Sequence, residues 1–354
     1  MVLAGQQPSD AMFQTHFSTP FPEDGKMEVQ PLKNKSRLST HFSSKLAGRA
    51  VPYVLLLAAA LLPIGVARAD LIFVVNSAGG SVGEYTQSGV PINPNLITGL
   101  VLPSGIAISG SNIFVSSFGN GIGNSGTIGK YTLSGAIINA SLITGLGEPV
   151  ALAISGSDLF VSDPGTGKVG KYTTAGSTIN ASLISIPDPE GLAVSGSNLY
   201  VASGLGTVGQ YTTAGGAVRP SLIQGLGSPA GLALSGSNLF IVEPGIGLGK
   251  VSEYSTSGIA VNPSLIDNLY NPSGIAVSGT NVFVTSFYPY STIGQFTTSG
   301  VTINANLVAG LARPEGIAVA VPLPCSAFQG IVAMAGIGIL LISKYLRQPQ
   351  SGNS

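Results

Sequence analysis

The sequence predicts an all-β fold: a six-bladed β-propeller of four-stranded blades, its ring closed by a strand from the C-terminal end that completes the first blade. Three observations predict it. Between Leu71 and Val319 one unit is written five times in full and once in two halves. The leading prolines of the unit, Pro103, Pro149, Pro189, Pro229, Pro272 and Pro314, stand 40 to 46 residues apart, the period of a four-stranded blade. The two halves are also complementary, because Leu71 to Leu100 lacks the opening strand while Pro314 to Val319 supplies only that strand. Joined, they make a sixth blade and remove the two sheet edges an open array would expose. A solenoid is the alternative, but its ends carry capping repeats rather than matching halves.

Each strand of the unit has its own signature. The opening run, as in Ile106 to Ile108 or Leu192 to Val194, is continuously apolar and ends in Ser-Gly, as a strand buried on both faces and closed by a tight turn should. Its hairpin partner follows, as in Asn198 to Val201. The third strand ends in an aromatic at one repeated position, Tyr85, Tyr131, Tyr172, Tyr211, Tyr254 or Phe296, where the ring can pack between neighbouring blades. The fourth, as in Ile179 to Ile184 or Val261 to Ile266, carries Asn and sometimes Pro. Proline cannot donate to a ladder, so this strand belongs at the outer edge.

Composition agrees, since 49 Gly and 8% charged residues suit a turn-rich all-β body. From Asp70 to Pro324 there are eleven acidic and six basic side chains and no basic stripe, which argues against a nucleic-acid partner. The sole cysteine, Cys325, has no intrachain partner for a disulfide.

Both chain ends read as addresses. Residues 1–69 form an N-terminal extension and secretory signal: the apolar run 51–66 follows Lys45 and Arg49 and precedes Ala67-Arg68-Ala69, a small-x-small pattern that places cleavage after Ala69. Met27 is an alternative start to Met1, with Lys33, Lys35 and Arg37 then leading the signal. The propeller is assigned to residues 70–321 and a tail to 322–354. Within the tail, 326–343 is uncharged and just long enough for one transmembrane helix, and Lys344 and Arg347 follow it, which holds that end cytoplasmic and the propeller outside. A permanent single-span anchor is one reading of this tail.

The other comes from its order of parts, since the motif Pro322-Leu323-Pro324, a short span and a basic end together resemble the PEP-CTERM sorting signal of Gram-negative bacteria in a Pro-Leu-Pro variant. That resemblance implies recognition and cleavage by an exosortase-type partner, a transient stay in the membrane, and release or fixation at the cell surface, often beside exopolysaccharide. The blades in turn resemble NHL-type repeats, whose Pro-x-Gly-Ile-Ala-Val opening is matched by Pro103 to Ile108 and Pro272 to Val277, with Ala151 in place of Gly in the Pro149 copy. The repeat's Asp after the second strand is kept as Asp163 and replaced by Asn76, Ser117, Ser203, Glu243 and Ser286 in the other copies. This resemblance implies architecture, and a propeller hosts many activities, so function rests on a site.

Several chemistries are excluded at the level of residue types. His16 and His41 precede the signal cleavage point, which leaves the exported domain without histidine, and Cys325 lies in the tail. No Gly-Lys-Ser phosphate loop occurs, and the glycines fall at turns. No catalytic residue, cofactor site or metal ligand set is assigned. The remaining constellation is acidic. The residue after the leading proline is Ser104, Val150, Glu190, Ala230, Ser273 or Glu315, so carboxylates occur in two blades, three apart in a ring of six. With the opening strand innermost, Glu190 and Glu315 face each other across one mouth of the channel, with Asp188 and Arg313 beside them. Lactonase-type propellers, the gluconolactonase relatives, place a metal-binding Glu near a similar Glu-Gly step, and that likeness implies a ligand or metal role for this mouth. The plainer reading is solvated loop charge. Asp163 and Glu243, each before Pro-Gly, read as turn residues, and the sequons at Asn139 and Asn180 as outer-strand repeat chemistry.

The expected function is therefore that of an exported surface or extracellular-matrix propeller, a non-catalytic binding or scaffold module for a polysaccharide or protein. The alternatives are a metal-dependent lactonase-like hydrolase at the mouth carboxylates, and a structural surface protein without a specific ligand.

Overall fold

The computed structural model describes residues 70–320, apart from 246, 288 and 289. The expectations for residues 1–69 and 321–354, namely cleavage at Ala69, the Pro322-Leu323-Pro324 motif and the span 326–343, lie outside the described residues. Among the described residues no helix is long and apolar enough to cross a membrane.

Among the described residues twenty-four strands form six four-stranded antiparallel sheets. Blade 1 contains β1 (Leu71–Asn76), β2 (Ser81–Thr86) and β3 (Pro91–Ile97). Blade 2 follows with β4 (Pro103–Ser109), β5 (Asn112–Ser117), β6 (Gly126–Thr132) and β7 (Ile137–Leu146). Blade 3 is β8 (Leu152–Ser155), β9 (Asp158–Asp163), β10 (Lys168–Thr173) and β11 (Thr178–Ser185). Blade 4 is β12 (Pro189–Ser195), β13 (Asn198–Ser203), β14 (Thr207–Thr212) and β15 (Ala217–Gln224). Blade 5 is β16 (Leu232–Ser235), β17 (Asn238–Glu243), β18 (Leu248–Ser255) and β19 (Ala260–Tyr270). Blade 6 is β20 (Pro272–Ser278), β21 (Asn281–Ser286), β22 (Thr292–Thr297) and β23 (Thr302–Val308). The last strand, β24 (Pro314–Ala320), pairs with β1 and gives blade 1 the order β24-β1-β2-β3. The complementary halves thus close the ring.

Inner strands contact one another around the whole circle, β24 with β4, then β8, β12, β16, β20 and back to β24. The core is correspondingly divided into six apolar clusters, each shared by two adjacent blades. Tyr131 of blade 2 packs with Phe73 and Val75 of blade 1, and Tyr85 of blade 1 with Phe283 and Ile293 of blade 6. One aromatic of every second strand, such as Phe114, Phe160 or Phe240, is fully buried. The third-strand tyrosine lies over a glycine two residues earlier, where a Cβ on Gly170 would stand 2.6 Å from the Tyr172 ring. Blade 5 has Ser252 at this position and its Tyr254 is only partly buried, whereas Tyr85, Tyr131, Tyr172 and Tyr211 are buried.

The outer strands are bulged in the same way in every blade. In blade 3, Lys171 pairs with Asn180 and Val169 with Ile184, which leaves two extra residues on the outer side. The Asn180 side chain turns back to accept from the Ser182 N–H at 3.0 Å. Asn93, Asn139, Asn262 and Asn304 do the same in their strands. This is what the recurrent Asn, including both sequons, does locally.

Candidate functional site

The mouth is built by the Pro-x-Gly step of the inner strand. In four blades this step is a β-bulge: the four residues from Pro103 to Ile106 face the three from Val115 to Ser117, and the same shift occurs at Pro189, Pro272 and Pro314. The bulged residues are Ser104, Glu190, Ser273 and Glu315, all of which line the mouth cavity, as bulges beside functional sites commonly re-aim a side chain. In blades 3 and 5, which carry Val150 and Ala230, the inner strand starts only at Leu152 and Leu232. The glycine that follows is required by close approach, since a Cβ on Gly191 would run into the carbonyl oxygen of Ala230, and one on Gly274 into that of Glu315.

The residues before the leading prolines form a second column, of which Glu148, Asp188 and Arg313 line the cavity. Leu102, Asp188, Ser228, Asn271 and Arg313 all have left-handed backbone, with φ between 41° and 58°. Such a conformation costs a non-glycine residue roughly 1 kcal/mol, and here it recurs where the chain enters the channel. Glu148, the sixth member of this column, is held differently: the buried Asp163 carboxylate accepts from the N–H groups of Gly147 and Glu148 at 2.9 and 2.8 Å. Asp163 is therefore a clamp on the connection between blades 2 and 3 rather than a plain turn residue. Glu243 is likewise buried, accepting from Gly227 N at 2.7 Å and from Ser252 and pairing with Lys250 at 3.6 Å.

These columns enclose a cavity of about 470 Å³. All four residues singled out in the sequence, Glu190, Glu315, Asp188 and Arg313, line it. So do Glu148, Phe118 and Phe287, which the sequence reading passed over. Reading the column before the proline as carefully as the column after it would have found Glu148. The two phenylalanines follow the second strands of blades 2 and 6, where no repeat signal marks them.

The lining is electrically lopsided. In blade 1, Arg313 pairs with Glu315 at 3.1 Å and lies over the Phe287 ring, 5.4 Å from its centre. Across the channel, blades 3 and 4 present Glu148, Asp188 and Glu190. Burial pushes the Glu190 carboxyl up to about 7, and the negative charges of Asp188, Glu315 and Glu148 add to the rise. Burial also raises Glu315, but hydrogen bonds from Ser104 and Ser77 and the Arg313 charge oppose it. Among the described residues no group of three His, Cys, Asp or Glu side chains that could hold a metal ion is found.

The register of blade 1 fixes which way the mouth looks. Asn76 pairs with Pro314 at the mouth end, and Leu71 pairs with Ala320 at the other. Asp70 and Ala320, the first and last described residues, therefore both leave on the face opposite the cavity.

No protein-family model and no curated protein matches the chain. Solved structures do share its architecture. A crystal structure of a nidogen/laminin complex matches with TM-score 0.59 at 15% identity, over 72% of this chain and 100% of that one. A protein of unknown function from Bacteroides caccae matches with TM-score 0.55 at 10% identity, over 71% of this chain and 98% of that one. A gluconolactonase from Xanthomonas campestris gives TM-score 0.48 at 18% identity, over 60% of this chain and 78% of that one. At these identities the likeness is one of fold alone, a six-bladed β-propeller, and a fold does not assign a function.

Proposed function

We propose that this protein is an exported propeller that acts at the cell surface or in the extracellular matrix as a non-catalytic binding module, taking a glycan or protein ligand at the channel mouth. One observation carries the reading: a cavity with an acidic half and an Arg-Phe half, open on the face opposite both ends of the described body. A ligand rich in hydroxyl or amide donors finds acceptors on Glu148, Asp188 and Glu190, and Phe118 and Phe287 supply apolar surface for its carbon skeleton. The signal at 51–69 and the PEP-CTERM-like tail support export, an exosortase-type partner and a transient membrane stop. Two experiments test this. Fractionation of the native host with intact mass fixes both termini: protein starting at Asp70 and lacking Arg347 is expected outside the inner membrane, and full-tailed protein confined to that membrane overturns the sorting claim. Binding of the host's exopolysaccharide and of its surface proteins to the purified chain is expected to weaken in Asp188→Asn and Glu190→Gln, and no binding of either would leave a structural surface role.

A second reading, metal-dependent lactonase-like hydrolysis, draws on Glu190, whose affinity for its proton near neutrality suits a general acid or base. It ranks lower because no group of residues that could hold a metal ion is found among the described ones. Stoichiometric metal in a dialysed sample, lost in Glu190→Gln or Glu315→Gln, would reverse the order.

A further inference from the structure

We propose that the mouth receives a protein segment, which inserts a lysine or arginine side chain between Glu148, Asp188 and Glu190 and rests apolar neighbours on the surrounding rim. This assignment rests on the reading of the mouth as the ligand site. Two independent observations point to it, and the first is negative charge without a counterpart. Arg313 is matched by Glu315, and the other ion pairs among the described residues, Lys171 with Asp158 and Lys250 with Glu243, use none of the three carboxylates. Burial raises the Glu190 carboxyl, the charges of Asp188, Glu315 and Glu148 add to the rise, and no cation opposes them. Gathering like charge in a half-enclosed cavity is costly. A cation supplied by a partner removes that cost, and an ammonium or guanidinium on a flexible stem reaches carboxylates spread over two blades.

The second observation is an apolar rim. Apart from aliphatic side chains near the start of the outer strands, the exposed large apolar residues lie at the mouth end of the body. Val101, Leu102 and Ile122 belong to blade 2, Leu205 to blade 4, and Tyr270 and Tyr290 to blades 5 and 6, at 44 to 77% exposure. The loop with Ile122 follows Ser117, which pairs with Pro103, and Leu205 follows Ser203, which pairs with Pro189, so both stand on the side of the Pro-x-Gly bulges. Tyr270 and Tyr290 meet edge to face across a blade boundary, ring centres 5.3 Å apart. With half-buried Phe118 and Phe287 in the cavity wall, apolar surface flanks the acidic sector of blades 3 and 4 on both sides. A contiguous arrangement of this kind marks an interaction surface, which singly scattered apolar residues do not.

The occupant that fits both is a polypeptide. Protein interfaces seat an anchor, often arginine or an aromatic residue, in a central pocket and surround it with contacts that exclude water. An arginine would meet the carboxylates with its charge and Phe118 with the face of its guanidinium. A glycan would instead bring hydroxyl groups against Val101, Leu102, Ile122 and Leu205, where burial without a hydrogen-bond partner costs free energy. A peptide brings apolar side chains to the same places. The acidic centre therefore selects the anchor, and the rim selects its neighbours.

Selection from a phage-displayed library of random peptides against the purified chain, followed by fluorescence anisotropy of the peptides selected, tests this. They are expected to share a lysine or arginine beside apolar residues, and to lose roughly tenfold or more in affinity in Asp188→Asn and in Glu190→Gln, as well as with rising salt. Both substitutions keep side-chain size, and asparagine tolerates the left-handed backbone of Asp188. Ile122→Ser and Leu205→Ser leave the cavity intact on exposed loops, should weaken the same peptides, and serve alone if a mouth variant fails to fold. Peptides that lack a basic residue, or that bind the Glu190→Gln chain as tightly as the wild type, overturn the proposal. Host exopolysaccharide whose binding is lost in Glu190→Gln, while the library yields no peptide, overturns it too but leaves the mouth as the ligand site. Neither peptide nor polysaccharide bound at the mouth removes both readings.

Discussion

Ser162 donates its hydroxyl proton to the main-chain carbonyl of Glu190 at 2.6 Å, across the boundary between blades 3 and 4. The same oxygen accepts from Ala151 N at 2.9 Å, so one side chain ties its own inner strand to that of the next blade. Thr285 repeats the arrangement between blades 6 and 1, donating to the Glu315 carbonyl at 2.6 Å and accepting from Gly274 N at 2.8 Å. Both mouth glutamates are thereby pinned by the preceding blade. Val75, Ala202 and Val242 occupy this position in the other sheets and make no such bond, while Ser116 makes it to Val150.

Ser162→Ala and Thr285→Val are each expected to lower stability by about 1 to 2 kcal/mol, since each strands a buried N–H and a buried carbonyl. The two sites lie three blades apart and share no partner, so the double variant should show the sum. Chemical denaturation of the four proteins checks this. A double variant no less stable than the wild type would show that the clamps contribute nothing.

The glycine of the Pro-x-Gly step is a matter of space. Gly191→Ala drives a methyl group into the Ala230 carbonyl of the next blade and is expected to cost roughly 1 to 3 kcal/mol, as overpacking does. Ala151 is the instructive exception, because blade 3 already carries a Cβ at the position that is glycine in the other blades. Ala151→Gly should therefore change stability little. Melting temperatures of the two variants decide it, and equal losses would mean that close approach is not what fixes the glycine.

How far the sequence foretold this architecture depends on what each feature rests on. The repeat spacing and the split blade were legible because both are linear patterns, and Pro314 to Val319 could be matched to the missing strand by inspection. The mouth was legible as a column of residues after each proline. What escaped depends on non-local contact: the bulge that turns Glu190 into the cavity is set by the neighbouring blade's backbone, and Asp163 before Pro-Gly resembles a turn until its carboxylate is seen beneath the Gly147-Glu148 connection. Phe118 and Phe287 sit in loops of unequal length, where repeat alignment fails.

Closure rests on β24. This strand pairs with β1 along its length, and Ile317 enters the cluster shared by blades 6 and 1. A chain ending at residue 311 keeps twenty-three strands yet exposes β1 as an open inner edge. It is expected to aggregate or to melt well below the chain that retains residues 312–324. A monomer with an undiminished melting temperature would show that the ring does not depend on this strand.

The last prediction concerns pH and the Glu190 carboxyl. Folded Glu190 keeps its proton up to about 7, while an unfolded glutamate releases it near 4.5. Between those values the folded chain binds more protons than the unfolded one, so stability must fall as pH rises through this window, and the full penalty is present above it. Glu190→Gln removes the ionisable group, and is expected to flatten that fall and to raise stability at about pH 8 by roughly 2 kcal/mol relative to the wild type. Below about pH 4 the two proteins should be alike, because the wild-type carboxyl is then neutral in both states. Glu315→Gln provides the control: it withdraws one of the charges that raise Glu190, so the inflection should move to lower pH without vanishing. Denaturation midpoints of the three proteins across the range measure this. Parallel profiles for the wild type and Glu190→Gln would mean that the mouth is wet enough to hold Glu190 ionised at little cost, and that its neighbours do not act on it as a cluster.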